Sequence, residues 1–190
     1  SGGAMEIDIG SAMLTTVSSG GSMTVHGCGE MDDNGLVMST IVSNGGSMTV
    51  DDWGNAVSTI VSSGGRMTVY RVGSATSTMI TSGGKMMVYR MGSAMSTVVN
   101  GLLTLYSSGF ATSAIVNSGG SLTVFSDGSA MSTVVNANGL MTISFRGHAV
   151  STKVNGGMLT VSSGGNAMLA TVNSGGKIMI SSGGSATSAV

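Results

Sequence analysis

Apolar and polar residues alternate along this chain in short bursts, and the bursts return on a fixed period. Met67-Thr68-Val69 is followed, beyond Gly73 and Ala75, by Ser77-Thr78-Met79-Ile80; about 19 residues later Met86-Met87-Val88 and Ser96-Thr97-Val98-Val99 repeat the pair. Each burst is too short for a helix. The alternation of Met67 with Val69 and of Thr78 with Ile80, the β-branched content and the bounding glycines predict strands of period two. A unit of this length holds two or three short strands and glycine-rich corners, which is one turn of a β-solenoid.

The consensus S-G-G-x-M-T-V-x-x-x-G-x-A-x-S-T-x-V-x can be laid out about ten times, with units starting at Ser1, Ser19, Asn44, Ser63, Ser82, Gly101, Ser118, Ala137, Gly156 and Ser174. Self-similarity of this kind means that each unit buries its apolar side against its neighbours. Successive turns pair as parallel strands about 4.8 Å apart, giving a rod of roughly 45–50 Å. The predicted core is a set of ladders: Met23, Met48, Met67, Met86, Leu103, Leu122 in one; Val25, Val50, Val69, Val88, Leu105, Val124 in the next; Val42, Val61, Ile80, Val99, Val116, Val135 in a third. The alanine column Ala56, Ala75, Ala94, Ala111 marks a tight wall, and the paired glycines are expected at corners with positive φ. We read residues 1–190 as one elongated domain and, because the last unit stops part-way at Val190, as a piece of a longer array. Residues 26–34 (HGCGEMDDN) are a loop insertion in the second rung.

Composition narrows the function classes. Charged residues are 8%, proline is absent, and the net charge is −1, so there is no electrostatic case for nucleic acid. The sequence contains no run of 18 apolar residues that could cross a bilayer as a helix. The single cysteine, Cys28, excludes an internal disulfide framework.

In register, S-G-G-x-x-x-V-x-x-x-G-x-A-x-x-T-x-V resembles the repeat of the AIDA-type passenger domains of self-associating autotransporter adhesins of Gram-negative bacteria. The resemblance covers nearly the whole chain. It implies an all-β, single-stranded right-handed parallel β-helix displayed on the bacterial cell surface, attached to the outer membrane in the full-length protein. It also implies action in cell adhesion, autoaggregation and biofilm. The implied partners are like chains, host-surface glycans or proteins, and a protein O-heptosyltransferase that modifies serines. On this sequence the candidate acceptors are Ser63, Ser77, Ser82, Ser96, Ser118 and Ser132.

Two surface rows stand out. Tyr70, Tyr89, Tyr106 and Phe125 share one slot in four consecutive units, just after an inward valine or leucine, with Arg71 and Arg90 beside two of them. They read either as a recognition strip or as cross-strand stacking that stabilises the sheet. Ile41, Ile60, Met79, Val98, Ile115 and Val134 lie between two inward positions and should point outward as a self-association stripe, interrupted at Lys153. A register error of one residue would bury that stripe and expose the neighbouring threonines.

The insertion gathers His26, Cys28, Glu30, Asp32 and Asp33, with Asp51 and Asp52 one turn away. Asp32, Asp33 and Asp51 are the weak metal candidates; their spacing fits no established calcium or zinc motif, and a solvated loop with no metal is the preferred reading. We expect no cofactor. Polysaccharide-cleaving β-helices need clustered ionisable groups, and no such constellation or Ser-His-Asp set occurs, so the expected role is non-catalytic. A structural spacer or fibre segment stays open as the alternative. An ice-binding solenoid, suggested by Thr49, Thr68, Thr104 and Thr123, ranks behind it because Glu6, Met87 and Met179 break the ladder.

Overall fold

The computed structural model describes residues 2–27, 34–173 and 175–190. Each unit forms three strands. In the fourth they are Arg66–Val69, Ser74–Thr76 and Met79–Ile80. The strands stack in chain order into three parallel sheets of ten, ten and nine strands. The fold is therefore a β-solenoid, as the period implied. Met67 lies between Met48 and Met86, Ala75 between Ala56 and Ala94, and Ile80 between Val61 and Val99. These are the predicted ladders in the predicted register.

One element differs from the two-segment reading. The stretch around Ala75, expected as a connection, is a strand in its own right, and Ser77, placed at the head of the following strand, is instead the bend between them with φ of 55°. Alanine suffices as the inward residue because the interior is narrow there; Ala56, Ala75, Ala94, Ala111 and Ala130 are fully buried.

The interior is filled by one Met or Leu and one Val, Leu or Ile from the first sheet, an Ala from the second and a Val or Ile from the third. Met48, Met67, Met86, Leu103, Leu122, Met141 and Leu159 are fully buried, each worth about 1.5–3 kcal/mol of apolar burial. Beside the third sheet a threonine also points inward: Thr40, Thr59, Thr78, Thr97, Thr133 and Thr152 are all buried, with Ala114 and Ala170 taking the same place in two rungs. The stripe next to them faces out.

The S-G-G corner uses its two glycines for different reasons. In Ser62-Ser63-Gly64-Gly65 the Gly65 N–H donates to the Ser62 carbonyl at 2.7 Å, and Gly64 takes φ of 74°, a turn that favours glycine at its third residue. Gly65 has no positive φ. A Cβ on it would collide with the Val42 carbonyl of the rung below. Thus only the first glycine of the pair answers to the expected backbone freedom, and the second is demanded by the close approach of successive rungs.

The insertion leaves the stack undisturbed. Gly27 bridges Asn34, and the rungs on either side keep register, Val25 on Val50 and Val37 on Ala56. Cys28, Glu30, Asp32 and Asp33 lie outside the described residues.

Candidate functional site

The three corners of the rod are chemically unequal. The corner from second to third sheet is built on a bend at positive φ in all ten rungs, occupied by Ser39, Ser58, Ser77, Ser96, Ser113, Ser132, Ser151 and Ser188 and by Leu14 and Leu169. The corner from third to first sheet carries the S-G-G turns. The corner from first to second sheet holds nearly everything else with distinctive chemistry.

There the residue after the inward valine or leucine forms a column: Asp8, His26, Asp51, Tyr70, Tyr89, Tyr106, Phe125, then serines from Ser144 onward. The predicted aromatic strip and two members of the predicted acidic group are consecutive rungs of this one column. The next two residues turn the chain with successive positive φ values, 47° and 67° at Arg71 and Val72, 47° and 65° at Arg90 and Met91, 44° and 61° at Phe145 and Arg146. Gly73 N–H closes the turn onto the Tyr70 carbonyl at 2.9 Å. Two left-handed residues in a row are the hallmark of a type I′ turn, for which Asn-Gly is the natural choice. A β-branched Val72 is costly there. The geometry throws Trp53, Met91 and Phe145 into solvent. All seven aromatic residues lie at this corner, Phe110 as the first residue of the strand that leaves it.

The rings of the strip stack on one another at centroid distances of 5.2, 4.8 and 5.5 Å, with planes within 12° of parallel. Their inner faces are therefore used within the strip. What it presents outward is a row of ring edges and three phenol hydroxyls, flanked by Arg71, whose guanidinium sits 5.5 Å from the Tyr70 ring centre and 3.4 Å from the Asp52 carboxylate. Arg90 is exposed beside Tyr89. The Tyr70 phenol is pushed up to about 12, first by its hydrogen bond to Asp51 and then by burial. Burial also raises Tyr106.

At the other end of the column His26 lies between two carboxylates. Its Nε2 is 3.4 Å from Glu6 and its Nδ1 is 2.5 Å from Asp51 Oδ1. Asp51, unlike an ordinary loop aspartate, is buried. A second charged pair, Arg146 with Asp127 at 2.8 Å, lies farther along the same corner.

The stripe residues are on the outer face of the third sheet. Ile41, Ile60, Met79 and Ile115 are 38–42% exposed, and Val98 and Val134 partly so. Met95 and Met131, exposed on the adjoining second sheet, widen the apolar face. Of the serines, Ser77, Ser96 and Ser132 are exposed at the positive-φ bend, and Ser63, Ser82 and Ser118 are exposed at the S-G-G turns. The threonine row Thr49, Thr68, Thr104, Thr123 lies on the outer face of the first sheet, only partly exposed.

Sequence reading missed a side-chain amide ladder at the C-terminal edge of the third sheet. Asn117 donates to Asn100 at 3.0 Å, Asn136 donates to Asn117 at 2.8 Å, and Asn173 bonds Asn155. The recurrence of asparagine after valine in consecutive units was the available signal.

Residues 33–80 and 107–157 match the sequence model of a family described as AIDA, adhesin of bacterial autotransporter system, probable stalk. Among solved structures, the crystal structure of the TibC-catalyzed hyper-glycosylated TibA55-350 fragment is similar. It has a TM-score of 0.55 and 30% identity, over 97% of this chain and 91% of that one. No curated protein matches.

Proposed function

Because the chain belongs to the AIDA family of adhesin stalks of the bacterial autotransporter system, we propose that it is a non-catalytic, self-associating stalk segment, held at the outer membrane by the rest of its protein. The observation that carries this reading is the outward row of Ile41, Ile60, Met79 and Ile115, apolar side chains left 38–42% exposed on a regular sheet. Two copies share one rung spacing, so contacts made at one rung repeat at the next. Small increments then add along the rod and among many rods on a surface, giving avidity without a deep pocket. Ile60→Ser with Ile115→Ser should weaken association by about 2 kcal/mol, or roughly 30-fold, measured by sedimentation velocity. An unchanged profile from a folded double variant would favour a plain spacer.

The second-to-third-sheet corner supports an added role as a glycosyltransferase substrate. A left-handed bend suits glycine or asparagine far better than serine, yet eight of its ten positions are serine. An exposed hydroxyl repeated at this corner is the group a sugar transferase would require. The TibA fragment is itself hyper-glycosylated. We expect O-linked sugar, a heptose if the transferase is of the kind the family resemblance implies, on Ser77, Ser96 and Ser132. Intact mass of material from the native host tests it, since a mass equal to the bare chain eliminates the role. Loss of the added mass in the triple Ser→Ala variant would locate it.

A further inference from the structure

We propose that Arg66, Lys85 and the Gly83 N–H form a phosphate-binding site at the third-to-first-sheet corner of the fourth and fifth rungs. Arg66 and Lys85 are paired in register as the first residues of neighbouring first-sheet strands. Like charges in directly opposed positions destabilise a sheet, and the adjoining rungs carry Ser22, Ser47, Leu102 and Ser121 in this column. The pair is not neutralised from within. Among the described residues neither cation forms an ion pair, and Asp51, Asp52 and Asp127 lie at the other end of the first-sheet strands. The Arg66 guanidinium leans toward the fifth rung, its Nη1 4.0 Å from Met87 Sδ, so both charges gather over the strand Lys85–Val88. Beside them runs an open groove of about 180 Å³ lined by Gly64, Gly65, Arg66, Gly83 and Lys85.

The backbone supplies a further donor because the next rung is short. Four residues turn the corner between Ile80 and Lys85, whereas only Asn100 and Gly101 do so between Val99 and Leu102, the residues that pair with Ile80 and Lys85. A file of hydrogen bonds climbs the earlier corners, from Gly45 N–H to the Gly64 carbonyl at 3.0 Å and from Gly64 N–H to the Gly83 carbonyl at 3.2 Å. It stops at Gly83, whose own N–H has no backbone acceptor, because the sixth rung lacks the residue that would carry one. In the seventh rung the turn is complete again, and a Cβ on Gly119, in the place of Gly83, would meet nothing within 4 Å. The corner is notched between them. Two cations and an amide donor suit phosphate, which near neutral pH carries close to two negative charges on oxygens that accept several hydrogen bonds. Arginine meets such a group as a planar fork and lysine as a point charge. A carboxylate would neutralise only one of the two cations. This inference does not depend on the adhesin reading.

Titration of the isotope-labelled full chain with inorganic phosphate at neutral pH should shift the Gly83 and Lys85 amides saturably by NMR, and glycerol should shift neither. Glycerol phosphate separates the two sources of the group: equal or weaker binding assigns the site to free phosphate, and tighter binding assigns it to a phosphomonoester. Arg66→Gln and Lys85→Gln should each weaken binding about tenfold, whereas Arg90→Gln and Arg146→Gln, at the first-to-second-sheet corner, should leave it unchanged. Insertion of a Ser-Gly pair between Asn100 and Gly101 restores the four-residue turn, so it should cap the Gly83 N–H and abolish its shift. The site is overturned by the absence of a saturable shift at Gly83, by unchanged affinity in Lys85→Gln, or by an equal loss in Arg90→Gln. If the insertion does not fold, the substitutions decide, since Arg66 and Lys85 are exposed.

Discussion

Replacing Thr78 by valine should make the rod more stable. Thr78 points inward between Thr59 and Thr97, all three are buried, and none of their Oγ1 atoms has a hydrogen-bond partner. A buried hydroxyl without a partner costs about 1–3 kcal/mol. Valine keeps the shape and substitutes a methyl, so Thr78→Val is expected to gain about 1–2 kcal/mol. For a chain of this length that raises the thermal midpoint by about 2–8 °C. Alanine removes the hydroxyl but leaves a methyl-sized gap costing about 1 kcal/mol, so Thr78→Ala should be nearly neutral; Ala114 and Ala170 already fill that place in two rungs. Serine keeps the hydroxyl and loses the methyl, so Thr78→Ser should cost about 1 kcal/mol. Urea titrations followed by circular dichroism would rank the series valine, alanine with wild type, then serine. Should Thr78→Val destabilise by 1 kcal/mol or more while Thr78→Ser does not, the hydroxyls are hydrogen-bonded, and the account of the column is wrong.

Three further outcomes follow from the geometry. Gly65→Ala should cost more than Gly64→Ala, because the first drives a Cβ to 2.1 Å from the Val42 carbonyl oxygen while the second brings one only to 3.1 Å from the Gly45 nitrogen, a milder contact added to the left-handed penalty of about 1–2 kcal/mol; equal losses in urea would contradict the steric argument. Asn117 both donates to Asn100 and accepts from Asn136, so Asn117→Ala should destabilise by about 1–3 kcal/mol, whereas removal of an end member such as Asn100 should cost less. Phenolate absorbance should show Tyr70 titrating near 12 against an ordinary 10.0, moving down in Asp51→Asn. Because folding favours the neutral phenol, its stabilisation is complete below pH 10 and fades as pH rises through 12; a native chain whose three tyrosines all titrate near 10 would exclude the Asp51 contact.

Which parts of this structure were legible in the sequence depends on how each is encoded. The ladders through Met67, Val69 and Ile80 were readable because inward residues must be apolar in every rung. The strand around Ala75 was obscured because its single inward residue is small and carries little hydrophobic signal. The bend at Ser77 was missed for a related reason: serine gives no hint of positive φ, which one associates with glycine or asparagine. The column from Asp8 through His26 and Asp51 to Tyr70 was split into two features. Asp51 was already placed one turn from His26, and the pairing of Val25 with Val50 bears that out; what hid the continuity with Tyr70 is that the column changes from ionisable to aromatic side chains between the third rung and the fourth. The amide ladder was hidden in a consensus position where serine and threonine also occur.

The closure at Gly27 and Asn34 has a practical meaning for how such rods diversify. Gly27 N–H donates to the Asp52 carbonyl at 2.7 Å, and Gly35 N–H donates to the His26 carbonyl at 2.8 Å, so the chain departs and rejoins at a single point. The rungs on either side of those anchors keep their register, Val25 on Val50 and Val37 on Ala56. The rung behaves as a grafting port, into which a peptide or a small folded module could be spliced and displayed while the remaining turns keep their spacing.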